Sequence, residues 1–204
     1  LTHAVVKMMM DSKLLPEGAL QLVIGSTGDL LDRLGGFDAV TFTGSADTAA
    51  KLRANHNLIR ESVPFTAEAD SLNCAILAPD VTPDDEEFDL FVKEVAREMT
   101  GKAGQKCTAI RRVIVPEAHV DAVGERLRER LRKITVGNPK MEGVRMGALA
   151  SMDQHRDVSE RVELLARGNE VLFSARDGFA PVGDGSTNGA FFSPTLLLCR
   201  NALA

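Results

Sequence analysis

Tryptophan and tyrosine are both missing from the 204 residues, and phenylalanine occurs nine times. Single-stranded nucleic acids are held on platforms of stacked aromatic rings, so a partner of that kind is not expected. No block of lysine and arginine is sustained, and the formal charge of −5 argues equally against a phosphate backbone. No apolar run approaches the roughly 20 residues that a membrane span needs, so no membrane partner is expected either. The opening LTHAVVKMMM lacks the basic start and small-residue cleavage site of a signal peptide. It does not begin with Met, and the chain is therefore expected to belong to something longer. The three cysteines, at 74, 107 and 199, form no CxxC pair. With the histidines at 3, 56, 119 and 155 they make no zinc-like spacing, so neither a disulfide scaffold nor a metal site is expected. A reducing cytoplasm fits best.

What remains is ordinary globular composition, 44% hydrophobic and 26% charged, enough for one large core or two small ones. A helix is expected over residues 2–12, then a turn, the apolar strand Leu20–Ile24 and a short helix over Gly28–Leu34 stopped by Gly35-Gly36. A second strand, Asp38–Phe42, leads into a helix from about Asp47 to Asn57. This short alternation argues for parallel α/β layering. Two extended runs, Val63–Thr66 and Cys74–Leu77, bracket a polar stretch, and the domain boundary is expected near 63–68. Thr82 and Pro83 suit the cap and first position of a helix carrying the stripe Phe88, Phe91, Val92, Val95 and Met99. Strand Arg112–Val115, a helix opened by Pro116, a helix over about 152–167, strand Glu170–Ser174, a polar loop over 177–190 and the apolar run Thr195–Leu198 complete the reading.

Three pieces could carry chemistry. In Phe42-Thr43-Gly44-Ser45 a strand breaks at glycine and enters a helix through serine, leaving backbone N–H groups that suit a phosphate. An ordinary βα turn with a serine cap explains the same residues. Cys107 follows two glycines in GKAGQKCTA, beside Lys102 and Lys106, and nearby positive charge favours thiolate over thiol. A small buried hydrophobe is the plainer account of a free cysteine, and Cys74 and Cys199, inside apolar runs, are assigned to it. Glu68 closes an extended run, where partial burial would suit it to accept a proton near neutral pH. A solvated or paired glutamate is the alternative. His119 and His155 read as surface residues, and no catalytic histidine is expected.

Taken in order, these pieces resemble the aldehyde dehydrogenase superfamily. The matches are Leu15 to Gly18, the FTGS turn Phe42 to Ser45, Glu68 opening EADSLN, Gly104-Gln105-Lys106-Cys107, Val136-Gly137-Asn138-Pro139, Met146-Gly147-Ala148-Leu149 and Phe191 to Thr195. Two departures stand out. The family usually follows its base with Leu-Gly-Gly-Lys, where this chain has Ala69-Asp70-Ser71-Leu72, and the glycine often found four residues beyond the FTGS serine is Ala49. The EADSLN variant resembles the branch formed by the dehydrogenase halves of bifunctional phenylacetate-degradation enzymes.

The resemblance implies an α/β, aldehyde dehydrogenase-like fold: residues 1–66 as the C-terminal part of a Rossmann-type NAD(P)-binding domain, and 67–204 as the N-terminal part of an α/β catalytic domain. It implies Cys107 as nucleophile, Glu68 as general base, and Ser45, Gly44 and Thr43 at the pyrophosphate of NADP or NAD. The implied substrate is a small-molecule aldehyde, CoA-linked in the branch named, within a homo-oligomeric parent. An oxyanion-hole Asn and a cofactor-binding Lys are expected upstream of residue 1, and a ribose-gripping Glu downstream of residue 204. The competing expectation is a non-catalytic α/β fragment with at most weak nucleotide binding. A thioesterase or amidase would leave the FTGS turn unexplained.

Overall fold

In the computed structural model, which describes residues 2–175, 178–183 and 188–201, the chain divides into two compact units, 1–70 and 71–204. In the first, helix α1 (Thr2–Asp11) buries none of its residues. The run Leu20–Ile24 forms no strand: among the described residues no neighbour offers it a ladder, and Val23 and Ile24 are exposed. The short helix expected over 28–34 tightens to a 3₁₀ turn, Leu30–Arg33. Strand β1 (Val40–Gly44) feeds helix α2 (Ala46–Arg53), and the expected single helix through residue 57 breaks before α3 (His56–Arg60). Asn55 makes the break, because its side-chain oxygen accepts from the N–H groups of Asn57 and Leu58 at 2.9 and 3.2 Å. A short polar side chain that bonds the backbone locally starts a new helix rather than continuing the old one.

Strand β2 (Phe65–Ala69) starts two residues later and ends three residues later than the run read from sequence, and pairs parallel to β1. Thr43 stands opposite Glu68 and Gly44 opposite Ala69. Residues alternate faces along a strand, so Thr41, Thr43, Thr66 and Glu68 share the exposed face while Phe42, Phe65 and Ala67 lie on the half-buried one. The unit ends at Asp70, so Glu68 belongs to the unit that carries the FTGS turn, rather than to the one that carries Cys107.

The second unit begins with β3 (Cys74–Ile76), parallel to β4 (Arg112–Ile114). Helix α4 (Glu86–Thr100) starts at Asp85 rather than Thr82. Both the N–H and the hydroxyl of Thr82 donate to the Asp85 carboxylate, at 2.7 and 2.8 Å, closing a turn ahead of the helix. Those bonds hold the Asp85 carboxyl below the usual carboxylate range. Glu86, Glu87 and Asp89 then face the positive end of the dipole. Pro116 opens a 3₁₀ turn before α5 (Val120–Arg132). Helix α6 (Met152–Ala166) precedes β5 (Glu170–Phe173), which pairs antiparallel with β6 (Leu196–Leu198), so the parallel layering does not extend to the last pair.

The core sits where α4 and α5 meet: Phe88, Val92, Val95, Leu127 and Leu131 are each at most 1% exposed, with Leu77 and Phe173 closing the cluster. The 3.6-residue spacing of both stripes puts these side chains on one face of each helix. A second cluster, Ala103, Val136, Met146, Leu149 and Ala190, supports the loop after α4. Gly137 allows it: a Cβ there would collide with the backbone of Val182, whose chain exchanges hydrogen bonds with residues 136 and 138. The described residues of the polar loop 177–190 belong to no helix or strand, and residues 176–177 and 184–187 lie outside the described residues.

Candidate active site

Helix α4 ends at Thr100, and the chain at once takes a 3₁₀ turn, Gly101–Gly104. Lys102, Ala103 and Gly104 all adopt positive φ, at 53°, 55° and 69°. Three successive left-handed residues are uncommon and costly for the two that carry a Cβ. They reverse the chain so that Gln105, Lys106 and Cys107 follow as a tight loop rather than as more helix. Gly104 is required here twice over, because an added Cβ would also press on the Met99 carbonyl at 3.0 Å.

Two amides hold this loop. Asn73, just before β3, donates through Nδ2 to the carbonyl of Cys107 at 2.5 Å and to that of Ala109 at 3.4 Å. Its own carbonyl accepts from the N–H groups of Arg111 and Arg112. Gln105 accepts from the Ala150 N–H at 2.8 Å and donates to the Lys102 carbonyl at 3.0 Å. Between these clamps Cys107 is exposed, and its carbonyl rather than its sulfur is tethered. Asn73 and Gln105 lie inside the EADSLN and GQKC motifs, but their clamping role is invisible in sequence, because both partners are backbone atoms far along the chain.

The two lysines beside Cys107 in sequence are placed differently. Lys106 is bound to Glu98 of α4 at 2.6 Å, so its charge is directed at that carboxylate. Lys102 is exposed, with no carboxylate partner among the described residues. The Lys106 hydrogen bond, helped by the fields of Lys106 and Arg97 against the cost of desolvation, holds the Glu98 carboxyl below its usual range. Cys74 and Cys199 are not buried hydrophobes. Both are exposed, Cys74 at the first position of a three-residue strand and Cys199 directly after β6, where neither is covered. His119 and His155 are half-buried instead of free on the surface, set edge-on against Phe88 and Phe192 at 6.4 and 5.3 Å.

In the first unit, Thr43, Gly44, Ser45 and Glu68 come together at one end of the β1–β2 pair. Glu68 is exposed on its strand, without the partial burial expected of it. Ser45 caps α2, its hydroxyl accepting from the Thr48 N–H at 3.2 Å and donating to the Thr48 hydroxyl at 2.9 Å. The Phe42 ring folds over Gly44, so a side chain there would have to push the ring aside. The residue sequence reasoning missed is Asp70. At φ 53° it turns back so that its N–H reaches the Gly44 carbonyl at 3.3 Å and its carboxylate accepts from the Ala46 N–H at 3.2 Å. A helix N-terminus such as that of α2, capped by Ser45, is of the kind that suits a phosphate. The Asp70 carboxylate shares that helix end, which the family's usual glycine would leave open.

Among the described residues no group of three His, Cys, Asp or Glu side chains could hold a metal ion, and no helix is long and apolar enough to cross a membrane.

The ordered motifs on this α/β frame define the class: residues 1–202 match the aldehyde dehydrogenase family, and the chain belongs to it. It is 45% identical over all 204 residues to a 3,4-dehydroadipyl-CoA semialdehyde dehydrogenase of Aromatoleum evansii, and covers 40% of that protein. A putative aldehyde dehydrogenase of Staphylococcus aureus strain MSSA476 is 30% identical over 190 residues, 90% of this chain and 37% of that one. Among solved structures, betaine aldehyde dehydrogenase of Staphylococcus aureus in complex with NAD+ superposes with a TM-score of 0.79 at 26% identity, covering 97% of this chain and 38% of that one. The chain thus spans about two fifths of the length of the curated relatives it matches.

Proposed function

We propose that these residues serve the NAD(P)-dependent oxidation of an aldehyde to its carboxylic acid through a thioester on Cys107. The observation that carries this reading is the exposed Cys107 sulfur on a loop whose backbone is clamped on both sides by Asn73 and Gln105. The sulfur, as thiolate, adds to the aldehyde carbon and forms a thiohemiacetal. The Cys107 N–H, in a loop fixed from both ends, is a preorganised donor for the developing oxyanion. Acceptance of the hydride is the chemistry a bound nicotinamide supplies. Glu68 takes a proton from water, which attacks the thioester carbon and releases the acid with return of the thiol. Ser45 and the α2 N-terminus, with Thr43 and Gly44 leading into them, bind the dinucleotide phosphates.

The identity to a CoA-semialdehyde dehydrogenase supports a CoA-linked semialdehyde of aromatic catabolism as the substrate. Three free, exposed thiols suit a reducing compartment, the cytoplasm. The first compact unit, 1–70, contributes to the cofactor domain, and the second, 71–204, to the thiol domain. In the intact protein, Cys107→Ala is expected to abolish aldehyde-dependent NAD(P)H formation, while Cys74→Ser and Cys199→Ser leave it unchanged. Normal turnover in Cys107→Ala would sink the proposal.

A further inference from the structure

Helices α4 and α5, with the chain that follows each, line a groove of about 700 Å³, wholly within the second unit. Six cations line it: Lys93, Arg97, Arg126, Arg130, Lys133 and Arg145. Only two carboxylates do, Asp89 and Glu129, in a chain whose formal charge is −5. Asp89 is shared by Arg126 and Arg130, at 2.7 and 3.6 Å, and Arg97 pairs with Glu94 and Glu98. Lys93, Lys133 and Arg145 have no carboxylate partner among the described residues. Cations in a last helical turn complement the dipole, which accounts for Arg97, Arg130 and Lys133. That account does not reach Lys93 and Arg126, mid-helix, or Arg145, in the loop after α5.

A cleft whose lining carries an excess of one sign of charge raises the local potential and draws in counter-ions. Its volume is that of a ligand site, and its floor is partly apolar, from Ala96 and Ile134. Gly101 forms one wall, and the chain from Gly101 runs directly into the loop that carries Cys107.

We infer that this groove binds the phosphates of the substrate's carrier, the 3′-phosphate and diphosphate of coenzyme A, and so anchors a semialdehyde whose reactive end is handled by the thiol loop. The inference rests on the CoA-linked reading given above. It makes Lys133 and Arg145 specificity-determining residues that take no part in the chemistry.

Calorimetric titration of the intact protein with CoA, ADP, inorganic phosphate and NADP tests it. CoA is expected to bind, more weakly as salt rises. Lys133→Glu with Arg145→Glu should weaken CoA on the order of tenfold or more, and leave NADP unchanged. The neutral pair Lys133→Gln and Arg145→Gln should show a smaller loss in the same direction. In turnover, the charge-reversed protein should show a raised KM for the CoA-linked semialdehyde, an unchanged kcat, and unaltered oxidation of a small free aldehyde. Unaltered CoA binding in both variants would overturn the inference. So would ADP or inorganic phosphate displacing CoA as readily as CoA itself, or a parallel loss of NADP. A protein that binds CoA here yet oxidises no aldehyde would sink the reaction and leave the groove standing.

Discussion

Replacing Asn73 by alanine removes the donor that holds the Cys107 carbonyl at 2.5 Å and the Ala109 carbonyl at 3.4 Å. A net hydrogen bond contributes about 0.5–1.5 kcal/mol. The second bond is long and Asn73 is exposed, so the loss should be about 1 kcal/mol, a shift in Tm of roughly 2–4 °C for a chain of this size. The larger effect is local. Freed at its carbonyl, the Cys107 loop samples other conformations, and the three left-handed residues before it, two of which cost energy, have less to hold them. Asn73→Asp is the sharper perturbation: it keeps the size but turns an acceptor toward two carbonyl oxygens. The assay is the alkylation rate of Cys107 by iodoacetamide. It must be run with Cys74→Ser and Cys199→Ser in place, because those thiols are exposed too. The rate is expected to change severalfold in Asn73→Ala and further in Asn73→Asp, with turnover falling in the same order. A drop in Tm with labelling and turnover unaffected would show that Asn73 merely braces the fold, and would refute the argument.

Leu127→Ala, at a residue 1% exposed between α4 and α5, should cost about 2–5 kcal/mol, read by denaturant unfolding. Gly137→Ala forces a methyl group into the Val182 backbone and should destabilise by roughly 1–3 kcal/mol, with the loss visible as protease sensitivity near residues 137 and 182. Asp85 and Glu98 both have folded-state pKa values below their ordinary ones, so each stabilises above the ordinary carboxylate range and loses that contribution as pH falls through the folded value. Asp85→Asn or Lys106→Gln should therefore flatten the acid limb of a stability–pH curve and leave its neutral part with little slope; an unchanged acid limb would contradict the two assignments. Asp70→Asn removes a carboxylate from the N-terminus of α2, and dinucleotide binding should tighten by a few fold.

Helix stripes were the most legible feature of the chain. Phe88, Val92, Val95, Leu127 and Leu131 recur at helical spacing and are the residues the core buries most deeply. Strands were less so. Leu20–Ile24 has the composition of one, but a strand exists only against a neighbour, and sequence names no neighbour. The thiol loop was legible as a motif through its glycines and its cysteine, while its support was not. The clamp from Asn73 spans 34 residues, and that from Gln105 to Ala150 spans 45. The electrostatic reading failed at Lys106 for a similar reason: closeness in sequence to Cys107 says nothing of Glu98, eight residues earlier in the last turn of α4 and within reach because the chain reverses at Lys102 and Ala103.

The central claim is that the sulfur of Cys107 carries the acyl group and Glu68 discharges it. The direct measurement is intact-protein mass spectrometry of Glu68→Gln, quenched in acid after mixing with NAD(P) and aldehyde. The account predicts an added acyl mass that maps to the peptide bearing Cys107, reached within one turnover and slow to decay. No adduct, or an adduct elsewhere, would contradict it.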